Sequence, residues 1–297
     1  MGDHSYVEER LVPAPEGGDI SVIDYGGDGP AVVLMHHLGM GPLQWREVVE
    51  ALGDRVRAVA PALRGHGRTS APLLPGAANR HDLLAVVDEL ELERPVVVAA
   101  GSLCSAFALA CAIEHPDRFD SIVTINGTFP ETRESAQAEV DVVRSPEMFQ
   151  YMRDRFRVDE ICPTADAITE HLTKKVAALH QDWIIDESVD LLSDIVGGVR
   201  IVPDGLTTSP DTRTIFTLYD FDGGFGFPDR QLYRACTVPM HVLHAVESWD
   251  ERGIALEYEM TDLNPAIDVQ LIEGGQFPMY SHPTEIAKHV LQAMALV

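Results

Sequence analysis

Four short runs constrain this chain most: AVVLMH (31–36), VRAVAP (56–61), PVVVAA (95–100) and SIVTIN (121–126), each largely apolar, rich in β-branched residues and bounded by turn residues. A strand with one solvated face alternates apolar and polar residues, whereas an almost continuously apolar strand is buried on both faces, as in a parallel sheet covered by helices. Segments of helical period lie between the runs, over 43–52, 82–92 and 103–114. A βαβα order of this kind requires parallel strands joined by crossover helices.

Before the first run, Pro15-Glu16-Gly17-Gly18 separates two alternating stretches, around Tyr6 to Pro13 and Asp19 to Tyr25, and predicts a hairpin. The alternation of runs and helices stops near Gly127 and resumes at VPMHVLHA (238–245), followed by DVQLIE (268–273) and a terminal helix from about Pro283 to Ala295. Residues 1–127 and 236–297 therefore read as one core, and 128–235 as a largely helical cap inserted into it. The cap carries many aromatic and methionine side chains, among them Met148, Tyr151, Met152, Trp183, Tyr219, Phe221 and Phe225. Some pack the cap itself, and others are candidates to line a ligand cavity where cap meets core.

With 45% hydrophobic residues in 297, the chain has ample material for a core. Its formal charge of −25, with Lys174, Lys175 and Lys288 as its only lysines, excludes nucleic acid and anionic membrane surfaces as natural partners. Cys104, Cys111, Cys162 and Cys236 show neither CxxC nor zinc-ligand spacing and are expected to be reduced. Residues 1–10 do not read as a secretory leader, and no run approaches the ~18 apolar residues of a membrane span. The cytoplasm is the expected location. No nicotinamide, flavin or phosphate-loop fingerprint occurs, so neither cofactor nor metal is expected, and the assembly is expected to be a monomer or homodimer.

Ala100-Gly101-Ser102-Leu103-Cys104 follows a buried run and opens a helical segment. A nucleophile on a sharp strand-to-helix turn needs small residues two positions before and after it, because the backbone there passes close to its neighbours, and Ala100 and Cys104 meet that need. The helix start aims amide dipoles at charge forming near Ser102, and the Leu103 N–H is a natural oxyanion donor. A serine that merely caps a helix is the cheaper explanation of the motif taken alone.

The wider context resembles the α/β-hydrolase superfamily. GPAVVLMHHLGMGPLQW (29–45) resembles its third strand and oxyanion loop, RGHGRTS (64–70) the loop after the fourth strand, and EHPDRFDSIVTING (114–127) the helix and strand beyond the elbow. VPMHVLHA and GGQFPMYSHP (274–283) resemble the segments that carry the acid and the histidine. The resemblance implies an α/β-hydrolase fold with Ser102 as nucleophile and the amides of Leu38 and Leu103 as oxyanion site. It also places Gln276 where the family has its histidine, and Ser248 where it has its acid, with Glu247 and Asp250 as imperfect neighbours. His37 stands in place of the oxyanion-loop glycine, Gly101 in place of the frequent histidine before the nucleophile, and Ala62 in place of an aspartate.

A glutamine has no useful basicity, and nucleophile and base act as one unit, so an ordinary Ser-His-Asp esterase is disfavoured. His37 is the candidate replacement base. His36, adjacent to it, is with Gly101, Cys104, Glu247, Ser248 and Asp250 a candidate for the oxyanion and substrate-binding wall, but two histidines neighbouring at a strand end point to opposite sides and make a poor metal pair. Cys104 has no visible cation to lower its pKa and reads as a packing residue beside the site. The leading expectation is a cofactor-independent, non-hydrolytic enzyme of specialised metabolism. It would cyclise, rearrange, make or break a carbon–carbon bond in a hydrophobic small molecule held at Ser102, Gln276 and the oxyanion amides. The alternatives are an esterase or thioesterase whose base is His37, Glu247 or Asp250, and a silent binding protein.

Overall fold

The computed structural model describes residues 8–127, 132–182, 190–221, 226–248 and 259–295. The hairpin is β1 (Glu8–Pro13) and β2 (Asp19–Gly26), and the four apolar runs become β3 (Ala31–Met35), β4 (Arg57–Pro61), β5 (Val96–Ala100) and β6 (Ile122–Ile125). After the insertion come β9 (Met240–Ala245) and β10 (Ile267–Ile272), so that one eight-stranded sheet runs β1-β2-β4-β3-β5-β6-β9-β10. The β1–β2 and β2–β4 pairs are antiparallel and every other pair is parallel.

Burial on both faces is what the apolar runs dictate. Val97 and Ala99 of β5 face one core layer, while Val96, Val98 and Ala100 face the other. The first layer packs under α2 (Arg80–Glu89) and α3 (Gly101–Glu114), and the second under α1 (Arg46–Leu52) and the closing helix Pro283–Ala293. Helix α3 is apolar nearly all round, because sheet, α2 and later elements bury it from every side.

Between β6 and β9 the described residues form helices α4 (Arg133–Val143), α5 (Pro146–Phe156), α6 (Ala165–Asp182), α7 (Leu191–Ile195), α8 (Thr212–Leu218) and α9 (Arg230–Ala235). Side chains of Thr132, Ser145, Asp211 and Asp229 cap four of them, each worth about 1 kcal/mol. Two details depart from a purely helical cap. A short hairpin, β7 (Val199–Val202) with β8 (Gly205–Thr208), interrupts the helices, and α9 packs on α3, with Tyr233 buried and its hydroxyl donating to the Gly127 carbonyl at 2.6 Å.

Candidate active site

Because β3, β5, β6 and β9 are parallel neighbours, their carboxyl ends meet at one edge, where ligands of open α/β sheets bind. There a cavity of about 220 Å³ is lined by His37, Leu38, Ser102, Asn126, His244 and Gln276, with Gly101, Leu103, Tyr219 and Ser248 among the residues that complete the wall. The fold thus gathers from four separate segments, 37–38, 101–103, 248 and 276, residues that the resemblance singled out, and adds others.

The turn from β5 into α3 differs from the expected elbow. Gly101 takes the left-handed conformation, at φ +77°, whereas Ser102 lies within the helix and outside that region. Glycine absorbs a positive φ without steric penalty, so the sharp bend falls one residue earlier than the motif implied and leaves the serine unstrained. His37 closes over the bend. A Cβ added at Gly101 would come within 2.6 Å of His37 Cδ2 and 2.9 Å of its Nε2. The space that a side chain at the apex would need is occupied by imidazole.

The loop after β3 is fastened from below. His37 N–H donates to Gln44 Oε1 at 3.2 Å, Gly39 N–H to His66 Nε2 at 3.2 Å, and Met40 N–H to the His37 carbonyl at 3.0 Å. Leu38 borders the cavity, and the Leu103 N–H belongs to the first turn of α3, where no intrahelical acceptor exists.

The histidines divide by role. His36 is fully buried; its Nε2 accepts from the Leu63 N–H at 3.0 Å and its Nδ1–H donates to the His37 carbonyl at 2.9 Å. It ties two loops together behind the cavity wall and is not among the residues that line it, contrary to the expectation for it. Cys104 likewise leaves the candidate list: its thiol is buried, donates to the His36 carbonyl at 3.0 Å, and is pushed up in pKa by burial. His37 does line the cavity. Its Nδ1–H donates to the Leu38 carbonyl at 2.8 Å, which places the ring's lone pair on Nε2, and burial lowers its pKa to about 4. It is neutral at physiological pH and only weakly basic.

Gln276 borders the same cavity as Ser102, and its main chain is pinned by Asn126. Asn126 sits at φ +50° at the end of β6, where asparagine is tolerated better than most residues. Its Nδ2 donates to the carbonyls of Gly275 and Gln276 at 3.2 and 3.1 Å, and its Oδ1 accepts from the Ala245 N–H at 2.9 Å. One side chain thereby fixes the glutamine loop to β6 and β9. Ser248, at the acid position, lies 2.9 Å from His244 Nε2. Glu247 is exposed and outside the cavity wall, its N–H donating to the Gly274 carbonyl, and Asp250 lies outside the described residues.

Sequence reasoning missed His244, Asn126 and Lys175. A histidine at the carboxyl end of a fully buried strand was the available signal for His244; an asparagine at a strand end resembles any turn residue, and nothing local marks Lys175.

Beyond His37, Leu38 and Tyr219 the cavity adjoins a second chamber of about 570 Å³ under the cap, walled largely by Val143, Met148, Met152, Leu179 and Ile215. Tyr219 borders both spaces, and burial lifts its phenol to about 12, which keeps it a hydrogen-bond donor. Tyr151, Met148 and Met152 serve the chamber, whereas Phe221 packs with Phe107 and Phe227 in the core, and Trp183 and Phe225 lie outside the described residues. The fold also brings Glu160, Cys162 and His171 within ligand reach of one another, a set that spacing did not suggest. Arg157 already pairs with Glu160 at 2.5 Å, which makes the trio a poor cation site.

A helix-flanked, mostly parallel sheet with a strand-to-helix turn and a cavity at its carboxyl edge is the architecture of the α/β-hydrolase fold. Residues 30–184, just over half the chain, match the family model described as alpha/beta hydrolase fold, and the chain belongs to that family. An epoxide hydrolase of Caballeronia sordidicola is 30% identical over 225 residues, which is 72% of this chain and 56% of that protein. Among solved structures, E-2-(acetamidomethylene)succinate hydrolase superposes with a TM-score of 0.76 at 17% identity over 98% of this chain and 100% of that one. The thioesterase domain from the curacin biosynthetic pathway gives 0.70 at 18% identity, over 96% and 99%. At such identities the two structures establish the fold alone. Among the described residues no helix is long and apolar enough to cross a membrane.

Proposed function

We propose that this enzyme acts on a hydrophobic small molecule without hydrolysis and without an acyl-enzyme, binding a carbonyl or enolate oxygen at the amides of Leu38 and Leu103. Cyclisation, rearrangement and carbon–carbon bond formation or cleavage are the reactions such a site serves. The observation that carries this reading is the turn itself: the left-handed apex is Gly101, roofed by His37, while Ser102 lies in the helix and shares its cavity with a glutamine. Ser102 and Gln276 then act as hydrogen-bonding groups that orient the substrate, and the two amides stabilise developing negative charge. Tyr219 is a further donor at the mouth of the apolar chamber.

Hydrolysis is the second reading. It is favoured by His244, an imidazole on the wall of the same cavity as Ser102, and by the hydrolase names of the relatives. In that case His244, held by Ser248, replaces the missing base. Labelling with a fluorophosphonate, read by mass spectrometry, separates the two. The first reading expects no adduct on Ser102 and no turnover of p-nitrophenyl esters above background. Rapid labelling of wild type, abolished in His244→Ala, would establish the second.

A further inference from the structure

The chamber under the cap has one cationic group in its apolar wall. Lys175, on α6, is 5% exposed and borders the chamber beside Val158, Leu179 and Ile215. Among the described residues its ammonium has no hydrogen-bond acceptor and no ion-pair partner. A buried charge without a partner is disfavoured unless an occupant of the space supplies one. The surroundings do not: His66, from the loop after β4, and His171, one turn earlier on α6, lie close enough to be lowered in pKa by Lys175. Arg200 of β7 adds positive charge nearby, and the nearest carboxylate among these groups, Glu160, is engaged by Arg157.

We infer that Lys175 anchors the carboxylate of an otherwise apolar substrate, whose acid end docks against α6 while its reacting carbonyl lies at Leu38 and Leu103. The inference rests on the chamber being the substrate site, and it names the substrate class as a hydrophobic carboxylic acid. The chain's net charge of −25 opposes any anion at long range, so recognition comes from this one short contact inside the chamber.

Calorimetric titration with 2-naphthoate and its uncharged analogue 2-acetonaphthone, with no turnover required, tests the assignment. Wild type at pH 6.5 is expected to bind the acid at least about tenfold more tightly than the ketone, as a charge-assisted hydrogen bond supplies. Lys175→Met should lose that preference while keeping ketone affinity within about twofold, since the apolar wall is intact. Lys175 is charged below its pKa of about 8, so the preference should hold below pH 7 and fall as pH rises past 8. His37 at about 4 and Tyr219 at about 12 do not titrate in that window, and His66 and His171 are held below their ordinary value. Lys175→Arg should retain the preference without the decline. Failure of wild type to prefer naphthoate, or an undiminished preference in Lys175→Met, overturns the assignment. Ketone binding that persists in either case leaves the chamber standing as the substrate site, and the serine labelling experiment remains independent of both.

Discussion

Replacing Lys175 by methionine should stabilise the free protein, even though it removes a cation from an acidic chain. In the folded state burial lowers the pKa of this lysine from 10.5 to about 8, which corresponds to about 3 kcal/mol of differential interaction between its two protonation states. The sign follows from linkage. Below pH 8 the group is protonated in both folded and unfolded chains, so the folded state bears the full desolvation penalty; between 8 and 10.5 the unfolded chain binds more protons, and the penalty shrinks by about 1.4 kcal/mol per pH unit. Methionine has similar reach and no charge to desolvate. Urea unfolding of both proteins at pH 7 and at pH 9.5 measures the effect: a gain approaching 3 kcal/mol at pH 7 and about 1 kcal/mol at pH 9.5 is expected. A variant no more stable than wild type at pH 7, or a gain indifferent to pH, would refute the reasoning and mean that the free enzyme already neutralises this ammonium.

Other consequences concern the cavity frame. Asn126→Ala removes three buried hydrogen bonds, leaving the Ala245 N–H and the carbonyls of Gly275 and Gln276 unsatisfied, and should cost about 2–4 kcal/mol in denaturant unfolding. Gly101→Ala places a Cβ against His37 at a left-handed φ and should destabilise by about 1–3 kcal/mol; the double variant with His37→Gly should recover more than about 0.5 kcal/mol of that in a double-mutant cycle, and strict additivity would contradict the contact. His36 and His37, both lowered to about 4, should make stability fall as pH drops from 6.5 towards 4, by up to about 3 kcal/mol for each group; His37→Asn should remove its share, measured as a flatter urea midpoint over that range.

A buried lysine that weakens the fold, and three neutral histidines in one loop cluster, are arrangements that folding alone does not favour. They fit a site in which stability yields to binding. The histidines again divide: His36 and His66 accept backbone N–H groups and hold the oxyanion loop, while His37 blocks the apex of the turn.

The local pattern of apolar runs, helical segments and turn residues was enough to determine the parallel sheet, the leading hairpin and the strand-to-helix turn at 100–104. Burial on both faces demands continuous apolar strands, a bend demands small residues, and both demands are written in neighbouring positions. The family resemblance could point to Gln276 and Ser248 because those positions follow strand ends at fixed spacing. Only the tertiary structure decided which residue of the turn takes the positive φ, since Gly101 and Ser102 are adjacent and either fits a small-residue motif. It alone placed His36 and Cys104 behind the cavity wall, His244 on it and Lys175 on the wall of the chamber, because sequence records which side chains exist while burial and partners depend on elements distant in the chain, 68 residues apart for Cys104 and His36. The charge on Lys175 is the clearest case: one lysine of the pair 174–175 is exposed and paired to Glu170, and the other is enclosed by a chamber that α6 cannot form alone.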